Sequence, residues 1–113
     1  MLVLNRFVVP PAAAGAFVDR AQAALAALAA CAGYRSGRLT RALDDPTRWC
    51  LVTEWASVGA YRRALGGYDV KIRATPLLAE SLDEPSAYEA LASADPGGEV
   101  RAHASDLAVE PGR

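Results

Sequence analysis

Glu54, Trp55 and Tyr61 stand close together in the segment DDPTRWCLVTEWASVGAYRRAL, which runs from Asp44 to Leu65. An indole can stack on a flat organic ligand and donate one hydrogen bond through Nε1. A phenol can hold a phenolic or quinone oxygen. A carboxylate can orient an amide or accept a proton. Asn5 adds an amide within an otherwise apolar strand, where an unpaired polar group costs about 1–3 kcal/mol. Arg38 or Arg73 can stabilise a developing phenolate. The candidate catalytic set is therefore Trp55, Tyr61, Asn5 and Arg73. Arg38, Leu51, Phe7 and Leu65 are candidate substrate contacts. The same residues also make sense as packing, with Trp55 anchoring a core, Tyr61 covering it and the charges on the surface.

Other chemistries find little support. His103 is the only histidine and falls in a polar C-terminal stretch. Without another, a histidine-based triad or a zinc site is not expected. There is no glycine-rich phosphate loop. Cys31 and Cys50 form no CxxC pair and read as small buried residues. No metal or organic cofactor is expected. A net charge of −1 gives no reason to expect nucleic acid or an anionic membrane as partner. The start, MLVLNRFVVPP, reads as a strand rather than a signal peptide. The alanine-rich run at 21–30 is too short to span a bilayer. A cytoplasmic location is the default expectation.

The elements that must position these residues follow from periodicity. Leu2 to Val9 is apolar and β-branched and reads as a first strand, with Val3, Asn5, Phe7 and Val9 on one face and Leu2, Leu4, Arg6 and Val8 on the other. Residues 12–32 read as a helix with an apolar stripe of Phe17, Ala21, Leu25 and Leu28, stopped by Gly33. Tyr34 to Leu43 is a second strand. Strict alternation sets Tyr34, Ser36, Arg38, Thr40 and Ala42 against Arg35, Gly37, Leu39, Arg41 and Leu43. A turn at 44–48 leads to a third strand, Trp49 to Trp55. There Trp49, Leu51, Thr53 and Trp55 share a face opposite to Cys50, Val52 and Glu54. Ser57 caps a second helix carrying Val58, Tyr61, Ala64 and Leu65. Gly66 and Gly67 break it, and helix resumes in part over 69–78, where Pro76 argues against continuity. A last strand is placed at 87–91.

Strand, helix, strand, strand, helix, strand implies an α+β, ferredoxin-like, four-stranded antiparallel sheet with helices on one face. The opposite face needs cover, which a second copy can supply, so a homodimer is expected. Residues 1–92 form the expected domain. Residues 93–113 are read as a polar, flexible tail with a short ordered piece near 104–109.

The element order and the TEWASVGAYRRAL segment resemble the antibiotic biosynthesis monooxygenase (ABM) family. Its members typically have a strand ending in Glu-Trp or Gln-Trp, a small polar residue opening a helix, and an aromatic residue six positions after the tryptophan. These are Glu54, Trp55, Ser57 and Tyr61 here. The DDPTR turn and the Pro-Leu-Leu at 76–78 are similar too. The resemblance covers roughly residues 2–91 and implies a dimeric α+β barrel. It also implies oxidation of a hydrophobic phenol, anthrone or quinol by molecular oxygen without metal or flavin. Cofactor-independent members carry an asparagine four residues before the tryptophan, where this chain has Leu51. Their helix arginine has its counterpart in Arg73, at a spacing two residues shorter. Haem-degrading members share an Asn-Arg pair, matched by Asn5-Arg6, but use a histidine that residues 69–78 lack. A non-catalytic binding or accessory protein, or a polyketide cyclase or isomerase, are the alternative functions.

Overall fold

The computed structural model describes residues 1–105. β1 (Leu2–Val8) lies at the centre of the sheet, paired antiparallel to β3 (Arg48–Trp55) on one side and β4 (Ala87–Tyr88) on the other. β2 (Tyr34–Arg41) pairs with the outer side of β3, so the strand order is β2-β3-β1-β4. This is the expected ferredoxin-like α+β arrangement. The alternation in β1 and β3 is obeyed: Val3, Asn5, Phe7, Trp49, Leu51, Thr53 and Trp55 are buried, whereas Leu2, Leu4, Arg6, Cys50, Val52 and Glu54 are only half-buried.

A short 3-10 turn at Pro11–Ala13 leads into α1 (Ala14–Ala29). Its buried side is Phe17, Ala21, Ala24, Ala27 and Leu28. Leu25, expected in the stripe, is only half-buried against the core, and Ala24 and Ala27 take the buried positions beside it. α1 also ends earlier than residue 32. Gly33 serves instead as the turn into β2, with φ of 86° and its carbonyl accepting from the Ala56 amide at 2.8 Å. The β2–β3 turn is held by Asp45, whose Oδ1 accepts from the Thr47 amide at 3.0 Å and from Thr47 Oγ1 at 2.6 Å. Those bonds hold the Asp45 carboxyl below its ordinary pKa.

Ser57 caps α2 (Val58–Leu65) as expected, its Oγ accepting from the Ala60 amide at 3.1 Å. The two glycines separate α2 from α3 (Tyr68–Arg73). α4 (Thr75–Leu78) is a separate turn with Pro76 in its first turn, where a missing N–H costs nothing. Arg20 on α1 forms an ion pair with Glu80 beyond α4. The last strand is shorter than the expected 87–91. The chain reaches the β1 edge earlier, through Leu82 N to Arg6 O and Leu4 N to Ser86 O, both at 2.7 Å. Pro85, which has no N–H, lies between those two bonds.

Beyond β4, β5 (Ala92–Ser93) and β6 (Arg101–Ala102) form a small antiparallel ladder. His103 is exposed, and its Nε2 lies 2.6 Å from Ser93 Oγ. The ordered piece expected near 104–109 falls, from residue 106 onward, outside the described residues. No described helix is long and apolar enough to cross a membrane.

Gly33 is where α2 meets the α1–β2 turn. A Cβ there would lie 2.5 Å from the Ala60 Cβ, and its φ disfavours any side chain. Gly33→Ala should therefore lower stability by about 1–3 kcal/mol. Urea unfolding should show a lower midpoint at unchanged slope; an unchanged midpoint would show that the turn carries no such constraint.

Candidate functional site

The helix-side face of the sheet is organised in rows across β1, β3 and β2. One row is Phe7, Trp49 and Arg41; the next is Asn5, Leu51 and Leu39; the third is Val3, Thr53 and Gly37. Tyr34 and Trp55 face each other beyond the third row. Aromatic side chains collect at the two ends of this face. Phe7, Phe17 and Trp49 pack at one end, with ring centroids 5.1 and 5.4 Å apart and the Arg41 guanidinium 5.2 Å from the Trp49 ring centre. The Trp49 Nε1 is buried and has no hydrogen-bond partner among the described residues.

Trp55 forms the other end. It is completely buried, with Tyr34 edge-on at 5.4 Å and 86° and Tyr61 tilted against it at 5.4 Å and 55°. Its Nε1 donates to Thr53 Oγ1 at 2.9 Å. Thr53 is itself 2% exposed, so this is a buried and satisfied polar pair. The N–H that sequence reasoning offered to a ligand is thus committed inside the protein. Tyr61 remains half-buried, and loss of water pushes its phenol pKa above the ordinary value. It stays a neutral hydrogen-bond donor.

Trp55 and Tyr61 therefore come together as the sequence implied, and Tyr34 and Thr53 join them. Tyr34 lay on the wrong face by strict alternation. A β-bulge corrects this: Tyr34 pairs with Trp55, the next pair is Ser36 with Glu54, and Arg35 is the extra residue. Asn5 is 8% exposed on the same face, but its row lies four residues along β3 from Trp55, about 13 Å at strand spacing. Leu51 is buried beside it, and Leu65 packs half-buried on the core. Phe7 belongs to the opposite aromatic cluster. Arg38 pairs with Val52 in register and so lies on the open sheet face. Arg73 is exposed on α3 and pairs with Asp69 at 3.7 Å. Glu54 also faces the open side, 3.9 Å from Arg35. Clefts of about 290, 580 and 550 Å³ open near Trp49, near Ser57 and beside Glu54 and His103; none of them is lined by Trp55 or Tyr61. No group of three or more His, Cys, Asp or Glu among the described residues is placed to hold a metal ion.

Residues 1–71 match the family model described as antibiotic biosynthesis monooxygenase. The chain belongs to the ABM family. Among solved structures, this ABM chain is similar to SnoaB, a cofactor-independent oxygenase from Streptomyces nogalater, at 27% identity and a TM-score of 0.56, covering 80% of this chain and 94% of SnoaB. A mutant of SnoaB aligns over 96% of this chain and 94% of its own, at 23% identity and a TM-score of 0.62. A conserved protein from Methanosarcina mazei shares the fold at 20% identity and a TM-score of 0.63, over 76% of this chain and 84% of its own. Curated proteins yield no significant match.

Two measurements test the geometry of this ABM site. Thr53→Val removes the acceptor for a buried N–H and should cost about 1–3 kcal/mol, read as a lower denaturation midpoint. Thr53→Ser keeps a hydroxyl and should recover most of it. A neutral Thr53→Val variant would mean that the indole N–H finds another partner. The second concerns pH. Folded Tyr61 holds its proton more tightly than the unfolded chain, where tyrosine ionises near pH 10. Its contribution to stability is whole below that pH and is lost as pH rises towards the folded value. Alkaline titration of the phenolate band should lose its most alkaline transition in Tyr61→Phe; loss of a transition near or below pH ~10 instead would contradict the desolvation.

Proposed function

We propose that this protein is a cofactor-independent oxygenase acting on a flat, apolar phenol, anthrone or hydroquinone, as a homodimer whose second copy covers the open sheet face. The observation that carries this reading is the Trp55 indole, held by Thr53 and flanked by the phenols of Tyr34 and Tyr61. Likeness to the cofactor-independent oxygenase SnoaB, at 27% identity, supports the reaction class. The half-buried Leu2, Leu4 and Val52 support a covered open face.

In this chemistry the ionised substrate is the electron donor to oxygen. For an anthrone, one oxygen atom enters the product as the new quinone carbonyl. The other leaves as water with the two hydrogens of the substrate methylene. The protein's part is to exclude water and stabilise the substrate oxyanion. Tyr61 supplies a neutral donor, and the Asn5 amide lies further along the same face. Glu54, the carboxylate nearest in sequence, points to the other side, so the Trp55 cluster brings no carboxylate base of its own. The substrate must therefore be acidic enough to ionise by itself.

A second reading is favoured by one observation. Trp55 and Leu51 are completely buried, and Leu51 stands where cofactor-independent relatives have an amide. A non-catalytic binding or accessory protein would fit that dry face.

Oxygen uptake with a panel of anthrones and hydroquinones, without added metal or flavin, separates the two. The oxygenase should consume one oxygen molecule per anthrone, and its kcat/KM should rise with pH along the ionisation of each substrate. Tyr61→Phe should lower kcat on the order of a hundredfold, as expected for an oxyanion donor. Tight binding of the same compounds with no acceleration of oxygen uptake would establish the binding protein. Equal turnover without oxygen would identify a cyclase or isomerase.

A further inference from the structure

We propose that Tyr34 is a positioning residue for Trp55, and that Gly37 is the slot that seats it. The inference rests on the reading above, in which Tyr61, packed against the Trp55 ring, is the donor to the substrate oxyanion. Three contacts set the indole in place. Thr53 holds its N–H, Tyr61 on α2 leans on the ring, and Tyr34 on β2 meets it edge-on. An edge-to-face contact is the geometry that aligns the positive rim of one ring with the negative face of another, and is worth about 0.5–1.5 kcal/mol beyond simple burial.

Tyr34 reaches this position through two local departures from a regular strand. The bulge at Arg35 turns Tyr34 from the open face to the helix side, a use to which bulges beside functional sites are put. The absence of a side chain at residue 37 then leaves space for the hydroxyl end. A Cβ on Gly37 would lie 2.4 Å from the Tyr34 hydroxyl, 2.7 Å from Leu25 Cδ1 and 3.1 Å from Thr53 Cγ2. The Tyr34 hydroxyl thus sits under α1 beside the residue that anchors the indole. Gly37, Tyr34, Trp55 and Thr53 form one connected group in which the bulge and the slot determine the pitch of the indole.

The test uses the full chain with Trp49→Phe, which leaves Trp55 as the only tryptophan. Tyr34→Leu should flatten the near-ultraviolet circular dichroism of Trp55. It should also lower kcat on an anthrone by on the order of tenfold to a hundredfold, with a smaller change in KM, as for a misplaced Tyr61 donor. Tyr34→Phe keeps the ring edge and should restore the band and kcat to within about twofold, since positioning here rests on the ring's quadrupole rather than on the hydroxyl. Gly37→Ala should act like Tyr34→Leu by displacing the ring. A Tyr34→Leu protein that keeps both the band and kcat overturns the proposal, as does Tyr34→Phe failing to restore them. If the parent protein takes up no oxygen, the oxygenase reading fails on its own. The Trp55 band and anthraquinone affinity then decide the positioning role, which is overturned if Tyr34→Leu changes neither.

Discussion

The hydrogen bond from Trp55 to Thr53 makes the site possible. A tryptophan is a large apolar body with a single polar atom, and that atom needs an acceptor once water is gone. Thr53 provides one from the same strand face, two residues earlier, so the bond forms as soon as β3 is extended. It needs no loop, ligand or second subunit. The other tryptophan shows the contrast. Trp49 is buried in a similar aromatic setting, yet its N–H finds no partner among the described residues. The two ends of one strand face are thus chemically unlike, and the satisfied end is the one that the two phenols flank.

Much of the architecture was legible because it rests on local rules. β1 and β3 alternate cleanly, Ser57 has the hydroxyl that a helix start requires, and paired glycines interrupt α2. The pairing of Trp55 with Tyr61 followed from a strand end leading into a helix with its aromatic almost two turns along. Tyr34 was not legible. Alternation is a rule of period two, and one inserted residue reverses it without leaving a mark in hydrophobicity. Arg35 bears no sign of being the extra residue. Arg38 was named for its charge, and Arg73 for its charge and for a helix arginine in the family; neither ground says which way a group faces.

The sheet divides the candidate residues into two environments. Towards the helices lie the indole, the phenols, Asn5 and Leu51, with no carboxylate among them. Towards the open side lie Arg38, Cys50 and Glu54. Burial raises the Cys50 thiol pKa while the Arg6 charge works against that shift. Charged and thiol groups thus lie on one side of the sheet and an apolar aromatic layer on the other.

The contact between Gly33 and Ala60 ties together two parts of the chain that sequence distance would treat as separate modules. A lineage drifting towards a bulkier residue at 60 meets the turn at 33 before it gains any new surface on α2. Inheritance of one therefore constrains the other, and a chimera that borrows α2 from a relative must borrow the α1–β2 turn with it.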